Sequence, residues 1–243
     1  MRILTVEKLC KSFGGLKAIN NVDFYVDEGE IFGIIGPNGS GKTTILNLLT
    51  GFLKPNSGAI TFREENITGL PRYKISNKGI ARTFQLCKPF LEFTALQNVM
   101  VGRAYGQEPS RNMKVASFES SEILDQVGLL SKAKVLVKDL TVMERKRLEL
   151  ARALATKPAL LLLDELMAGC NLAEADDACH LITQLQDSKI TIIMVEHIVK
   201  AVTRVSNRIM VLNMGEKIAE GLPEEIRENK EVIEAYLGRE RKK

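Results

Sequence analysis

The chain has no run of apolar residues long enough to cross a bilayer. Its longest uncharged stretches, residues 31–41 and 43–53, reach only 11 residues each, whereas a membrane-spanning helix needs about 20 apolar residues. The N-terminus also lacks the apolar segment of a secretion signal, because Arg2, Glu7 and Lys8 interrupt it with charge. We therefore expect a protein that stays in the cytoplasm.

Clustered metal ligands and an excess of one charge are also missing. The four cysteines, at positions 10, 87, 170 and 179, form no C-x-x-C pair, and there are only two histidines. A structural zinc site is therefore not expected. The 34 basic and 30 acidic residues are interspersed, and only the tail 239–243 is strongly basic. A solvated end is the ordinary interpretation of such a tail, and nucleic-acid binding is not expected.

The composition that remains is that of a globular α/β protein. With 243 residues, 45% hydrophobic and 26% charged, the chain fits one domain with at most a small insert. Strand-like apolar runs occur up to about residue 85 and again from about 158, whereas residues 86–157 have helical periodicity without a convincing strand. The sequence predicts a mainly parallel α/β core interrupted by a helical insert.

The individual elements follow from apolar spacing and turn signals. The predicted strands cover residues 3–6, 22–26, 30–35, 58–62, 160–164, 190–195, 208–213 and 217–220. The predicted helices cover residues 42–51, 95–103, 118–127, 141–156, 223–229 and 231–238.

A glycine-rich segment that fits G-x-x-x-x-G-K-[ST] joins the predicted strand 30–35 to the helix 42–51. Glycines let backbone N–H groups turn inward around a polyphosphate, and the helix N-terminus adds partial positive charge there. Lys42 is expected to reach the β- and γ-phosphates, and the Thr43 hydroxyl to ligate Mg²⁺. The predicted nucleotide-binding residues are Gly36, Pro37, Asn38, Gly39, Ser40, Gly41, Lys42, Thr43 and Thr44.

Two adjacent carboxylates end the apolar strand at 160–164. At the carboxyl edge of such a strand, Asp164 can hold Mg²⁺ directly or through water. Glu165 can polarise an attacking water as a general base. A strand end that merely becomes polar at the surface is the alternative, but the phosphate loop upstream favours a catalytic pair.

Two further segments read Gly79-Ile80-Ala81-Arg82-Thr83-Phe84-Gln85 and Val195-Glu196-His197. Together with residues 35–44 and the acidic pair, they resemble the nucleotide-binding subunit of ABC transporters, and in particular the ATP-binding subunits of branched-chain amino acid importers. The resemblance covers nearly the whole chain. It implies the ABC ATPase fold: a single domain, 1–243, with an N-terminal antiparallel β region, an α/β core (1–85 and 158–243) and a helical subdomain at about 86–157.

The same resemblance implies roles for three residues that are unremarkable in isolation. Phe13 stands where the family stacks an aromatic ring on adenine. Gln85 corresponds to a glutamine that touches Mg²⁺ and the lytic water, and His197 to a switch histidine at the γ-phosphate. The implied catalytic residues are thus Glu165, His197 and Gln85, the implied metal ligands are Thr43, Gln85 and Asp164, and the cofactors are ATP and Mg²⁺.

The sequence departs from the family in the signature segment, which we define as residues 140–145. The usual L-S-G-G reads Leu140-Thr141-Val142-Met143 here. Both glycines are replaced by side chains expected to obstruct a phosphate and to resist positive φ. In the family, this loop presents backbone N–H donors to the γ-phosphate bound by the opposite subunit. Loss of one such donor typically removes about 3 kcal/mol of transition-state stabilisation.

Four other positions also depart from the pattern of the family. Leu166 replaces a usual proline after the acidic pair, residues 168–172 read A-G-C-N-L instead of a sequence like A-G-L-N-P, and Ile198 stands where aspartate is common. Most of these segments serve the partner subunit of a dimer, whereas the elements that act on the chain's own nucleotide are retained. We therefore expect a heterodimer with a homologous ATP-binding subunit rather than a homodimer.

The resemblance implies an ATPase that energises an importer by ATP-driven dimer closure. It would lie on the inner face of the membrane against permease subunits and serve a substrate-binding protein indirectly. One alternative is a subunit that binds ATP with little or no hydrolysis, as the degenerate half of a heterodimer. Another is a non-transport ABC ATPase, although the chain lacks the fused second domain or basic arm common in such proteins.

Overall fold

The computed structural model describes residues 1–84, 89–196 and 199–237. Four antiparallel strands form the first sheet, in the order β2-β1-β4-β5. They are β1 (Arg2–Phe13), β2 (Leu16–Asp27), β4 (Ser57–Phe62) and β5 (Glu65–Asn66). The expected N-terminal antiparallel region is confirmed. Strands β1 and β2 extend well beyond the predicted runs, because register shifts between them break the apolar alternation that sequence patterns detect.

The second sheet has six strands in the order β10-β9-β3-β8-β7-β6. All neighbours pair in parallel except β10, which is antiparallel to β9. The strands are β3 (Ile31–Ile35), β6 (Ile80–Arg82), β7 (Leu160–Asp164), β8 (Thr191–Val195), β9 (Arg208–Asn213) and β10 (Glu216–Gly221). The expected mainly parallel core is confirmed.

The helices separate into those beside the sheets and those of the insert. Helix α1 (Lys42–Leu49) follows β3, and the insert contains α3 (Ala95–Ala104), α4 (Met113–Gln126) and α5 (Val142–Ala155). The remaining helices are α2 (Arg72–Asn77), α6 (Leu172–Asp187), α7 (Val199–Val205), α8 (Pro223–Glu228) and α9 (Lys230–Leu237). In the described part of the chain, no helix combines the length and apolar character needed to cross a membrane.

Five of these elements are absent from the sequence prediction for physical reasons. Strand β5 has only two residues and β6 only three, and α2 has six with a single buried side chain. Helix α6 buries only Cys179, Ile182 and Leu185, so its apolar stripe is narrow. Helix α7 is short and directly follows a buried strand. Tertiary contacts, rather than local pattern, define these elements.

The buried parallel strands divide their side chains between two cores. Phe32 and Ile34 of β3 belong to the core shared with the antiparallel sheet and α1. Ile31 and Ile35 of the same strand belong to the core shared with the insert. Because successive strand residues point to opposite faces, this alternation places the parallel sheet between two layers. Strands β3 and β7 both pair in parallel with β8, which brings their carboxyl ends to one edge.

Candidate functional site

The phosphate loop lies between β3 and α1, as predicted. Gly36, Gly39 and Gly41 have φ angles of 155°, 77° and 108°. A side chain at Gly41 would place Cβ 2.7 Å from the carbonyl oxygen of Ala18, so glycine is required by both conformation and space. Of the nine predicted residues, Gly36 to Ser40 form the turn and Gly41 caps α1, whose first turn contains Lys42, Thr43 and Thr44.

Lys42 points its ammonium group into the loop. Its Nζ donates hydrogen bonds to the carbonyl oxygens of Gly36 (2.7 Å) and Pro37 (2.9 Å). Burial lowers the pKa of Lys42, and the negative charges of Glu165 and Asp164 oppose that shift. The acidic pair therefore lies near the loop, although more than a hundred residues of sequence separate the two motifs.

Asp164 ends β7 and is buried against a cation. Its Oδ2 accepts a 2.7 Å hydrogen bond from Arg82, and both side chains are only 5% exposed. Arg82 also donates to Asn47 of α1 at 2.7 Å, while the Asp164 N–H contacts the Thr83 hydroxyl at 3.2 Å. The sequence prediction does not include Arg82 as a site residue. Its position in the segment 79–85 is the signal that could have identified it.

Glu165 follows Asp164 with a left-handed backbone. Its φ is 52°, its side chain is buried, and its N–H donates to the carbonyl of Val195 on the adjacent β8 at 2.9 Å. A non-glycine residue with positive φ is uncommon, and such strained residues cluster at functional sites. The neighbouring strand thus holds Glu165 at the sheet edge beside the phosphate loop.

Three predicted site residues remain, Phe13, Gln85 and His197, and of these the structure describes Phe13. Phe13 ends β1 with its ring 46% exposed, and the Lys11 ammonium lies 5.3 Å from the ring centroid. Gln85 and His197 lie outside the described residues, as do Cys87 and Ile198. Their described neighbours, Phe84 and Glu196, follow the carboxyl ends of β6 and β8.

The signature segment forms the start of a capped helix. The Thr141 hydroxyl accepts from the N–H of Glu144, and the Glu144 carboxylate accepts from the N–H of Thr141. Val142 and Met143 are the first residues of α5 and do not adopt positive φ. The expected conformational penalty of replacing the glycines therefore does not arise here. The Val142 side chain is 71% exposed, and its steric obstruction of a phosphate stays a prediction.

One further contact at the phosphate loop comes from the C-terminus. Tyr236 of α9 lies with its phenol against the backbone N–H of Gly36. Burial raises the pKa of this phenol, and the hydrogen bond from Gly36 opposes the rise. Nothing in local sequence pattern indicates this contact, because it depends on the packing of the last helix.

Comparison with known families agrees with this geometry. The family model for ABC transporters matches residues 19–168, and a model described as branched-chain amino acid ATP-binding cassette transporter matches residues 216–242. The high-affinity branched-chain amino acid transport ATP-binding protein LivG of Salmonella typhimurium is 42% identical to this chain, over 97% of it and 98% of the relative. The high-affinity branched-chain amino acid transport ATP-binding protein BraF of Pseudomonas aeruginosa is 41% identical, over 97% of this chain and 98% of the relative.

Solved structures give the same result. The ADP conformation of MJ1267, an ATP-binding cassette of an ABC transporter, superposes with a TM-score of 0.89 at 31% identity, covering 98% of this chain and 99% of that one. ABC transporter ATP-binding subunits form dimers and act with membrane permeases. This chain belongs to the ABC transporter family, as one of the ATP-binding subunits that hydrolyse ATP.

Proposed function

We propose that the chain energises an importer for branched-chain amino acids from the inner face of the cell membrane. The observation that carries this proposal is the convergence of the phosphate loop, Asp164 and Glu165 in a chain 42% identical to a LivG protein. The match of residues 216–242 to the branched-chain amino acid model supports the substrate class. Specificity itself resides in the permease and the substrate-binding protein, which this subunit serves by ATP-driven closure and reopening.

Within the site, each predicted residue has a chemical task. The N–H groups of the phosphate loop and the Lys42 ammonium bind the phosphates, and Phe13 stacks on adenine. Glu165 takes a proton from the attacking water. Gln85 and His197 complete the set through the resemblance alone, at the water and the γ-phosphate.

Magnesium fits the residues that surround the loop. Thr43 is exposed at the N-terminus of α1, and the Asp164 carboxylate lies close enough to the loop to influence Lys42. Hydroxyl and carboxylate oxygens are the ligands that Mg²⁺ accepts beside nucleotide phosphates. Thr43 and Asp164, with Gln85, would hold the ion, which supplies charge neutralisation at the phosphates.

We propose that two parts of the domain have different roles. Residues 1–85 and 158–243 act as the nucleotide-binding core, and residues 86–157 act as a helical subdomain that contacts the permease. The grouping of α3, α4 and α5 between β6 and β7 supports this division. Its test is limited proteolysis with and without ATP, in which cleavage concentrates near residues 85 and 157.

The signature segment supports a heterodimer with a homologous subunit. This chain's own nucleotide would receive an intact signature from the partner, whereas the partner's nucleotide would face Val142. The helical backbone still aims the N–H groups of Val142 and Met143 out of the helix N-terminus, so the obstruction is steric. Met143 lines a cavity beside α5, which leaves exposed Val142 as the main obstacle.

Steady-state Mg²⁺-dependent ATPase activity of the purified chain tests these points. The native chain is compared with Glu165→Gln, with Val142→Gly and Met143→Gly alone, and with the double variant. We expect a silent native chain and activity in Val142→Gly and the double variant. If the native chain is fully active and Glu165→Gln abolishes that activity, the assignment as an ATPase stands and the heterodimer is rejected. Activity that survives Glu165→Gln would reject Glu165 as the base.

The transport proposal has a separate test. Deletion of the gene is expected to abolish uptake of radiolabelled leucine, isoleucine and valine and to leave lysine uptake unchanged. Unchanged leucine uptake would reject the substrate class without affecting the ATPase assignment. A non-transport ABC ATPase is not favoured, because the relatives reported above carry transport functions in their names.

A further inference from the structure

Helix α5 is bonded at two points to the segments that follow β6 and β7. The Lys146 ammonium donates to the carbonyl oxygens of Leu166, at 3.3 Å, and of Ala168. One turn later, the buried carboxylate of Glu149 accepts a 2.8 Å hydrogen bond from the N–H of Phe84. The two side chains lie three residues apart and therefore on one helix face.

The Lys146 bonds act on the turn that begins at the predicted general base. We call residues 165–170 the Glu165 turn. The N–H of Ala168 donates to the Glu165 carbonyl, and the N–H of Met167 donates to the Glu196 carboxylate. The turn is thus tied to β8 on one side and to α5 on the other. A charged donor shared by two carbonyls is a strong restraint on such a turn.

The Glu149 bond acts on the segment that leads to Gln85. Phe84 follows Thr83, whose N–H donates to Leu162 of β7 and whose hydroxyl contacts the N–H of Asp164. Glu149 therefore joins Phe84, the last described residue before position 85, to α5. Lys146 joins the same helix to the Glu165 turn.

An open cavity of about 260 Å³ lies between α5 and α6 on the side of the Glu165 turn, and its lining includes Met143, Lys146 and Cys170. Leu148, Leu150 and Ala151 of α5 are fully buried in the same core as Met167 of the turn. Packing therefore holds the body of α5, and the Lys146 ammonium joins the helix to the Glu165 turn beside the cavity.

We propose that Lys146 and Glu149 are positioning residues that couple the signature segment, at the start of α5, to the Glu165 turn and to the segment before Gln85. A displacement of the signature segment moves the helix as a unit, and the two side chains carry that displacement to both segments. The inference deepens the proposed function, because the turn that it controls contains the predicted general base.

Hydrogen–deuterium exchange on the full chain tests the connection without requiring hydrolysis. The readout is exchange at the amides of Met167, Ala168 and Cys170, all of which are hydrogen-bonded within or beside the turn. Lys146→Met is expected to accelerate their exchange about tenfold or more, since hydrogen bonds to charged groups are the stronger ones. Lys146→Arg should restore slow exchange.

Arg147→Met is the matched control, because it removes the same charge from the next position. The Arg147 guanidinium contacts Asp177 of α6 at 3.5 Å rather than the turn. We expect less than a twofold change in turn exchange for this variant. Native exchange rates in Lys146→Met, or equal acceleration by Arg147→Met, would overturn the proposal.

A second comparison tests coupling rather than stability. Thr141→Ala removes the cap of α5 and should accelerate exchange in the Glu165 turn in the native background. In the Lys146→Met, Glu149→Leu background, in which neither side chain can make its bond, the same change should have no further effect on the turn. Equal effects of Thr141→Ala in both backgrounds would overturn the coupling.

The kinetic consequence is measured on the transporter purified with its permease and partner subunit. Lys146→Met is expected to lower kcat about tenfold with an unchanged KM for ATP, because Lys146 does not contact the phosphate loop. Lys146→Arg should retain most activity. A raised KM with native kcat would overturn the positioning role. If the native transporter hydrolyses no ATP, the proposed function fails, while the exchange experiments still decide the coupling.

Discussion

The guanidinium of Arg82 and the carboxylate of Asp164 form a buried ion pair, 2.7 Å apart, that joins the carboxyl ends of β6 and β7. Arg82 also reaches Asn47 on the helix that follows the phosphate loop. One side chain therefore connects the predicted magnesium ligand, the loop helix and the segment 79–85. Arg82 is a structural member of the site that holds Asp164 in place.

Removing one partner of this pair should be strongly destabilising. We expect Arg82→Met to lower the free energy of unfolding by about 3–5 kcal/mol, because Asp164 would remain buried without its cation. Urea denaturation measures the loss. The exposed Arg111→Met control should change stability by less than about 0.5 kcal/mol. The double variant Arg82→Met, Asp164→Asn should recover most of the loss, and no recovery would contradict this explanation.

ATP binding should take up a proton in alkaline solution. Burial lowers the Lys42 pKa below its ordinary value of 10.5 in the free protein, and bound phosphate charges raise it again. Between those two pKa values Lys42 is neutral when free and protonated when ATP is bound, so affinity falls as pH rises through this window. Calorimetry with a non-hydrolysable ATP analogue, in buffers of different ionisation enthalpy, measures the uptake.

The control for this titration is Lys42→Arg, because a guanidinium remains charged throughout the range. Measured at concentrations high enough for binding, it should lack the alkaline proton uptake. Uptake of equal size in this variant would assign the proton to another group and contradict the prediction.

Phe13 should contribute modestly to nucleotide affinity. We expect Phe13→Ala to weaken ATP binding by about five- to tenfold, which corresponds to a stacking contribution of about 1 kcal/mol. Phe13→Tyr should retain native affinity. Titration with a fluorescent ATP analogue measures both. Phe118→Ala, which removes another exposed ring on α4, is the control and should have no effect on affinity.

Thr141 should affect both stability and hydrolysis. Its hydroxyl oxygen accepts from the Glu144 N–H, and the helix that it caps carries Lys146, which is bonded to the Glu165 turn. Thr141→Ala should lower the free energy of unfolding by about 1 kcal/mol through loss of the cap, and it should also lower the ATPase activity of the assembled transporter. Thr141→Ser should preserve both properties.

A matched cap on α3 separates these two effects. Thr94 forms the same capping box, with Gln97 in place of Glu144. Thr94→Ala should therefore reduce stability by a similar amount and leave ATPase activity at the native level. Equal loss of activity in both variants would assign the Thr141 effect to folding alone.

The sequence by itself determined the family, the two sheets' main strands and the residues of the phosphate loop and acidic pair. These features depend on local chemistry: a glycine turn that only certain residues allow, and apolar runs that only buried strands contain. The bounds of β7 and β9 were predictable for that reason, because each run ends abruptly at Asp164 and Asn213.

Only the tertiary structure decided how distant segments meet. The Arg82–Asp164 pair, the Lys146 bonds to the Glu165 turn and the Tyr236 contact with Gly36 join residues whose local patterns carry no signal of each other. The structure also corrected the signature segment, where Val142 begins an ordinary capped helix instead of needing a glycine conformation. Side-chain contacts across sheet edges and helix faces depend on packing in three dimensions, which spacing along the chain does not encode.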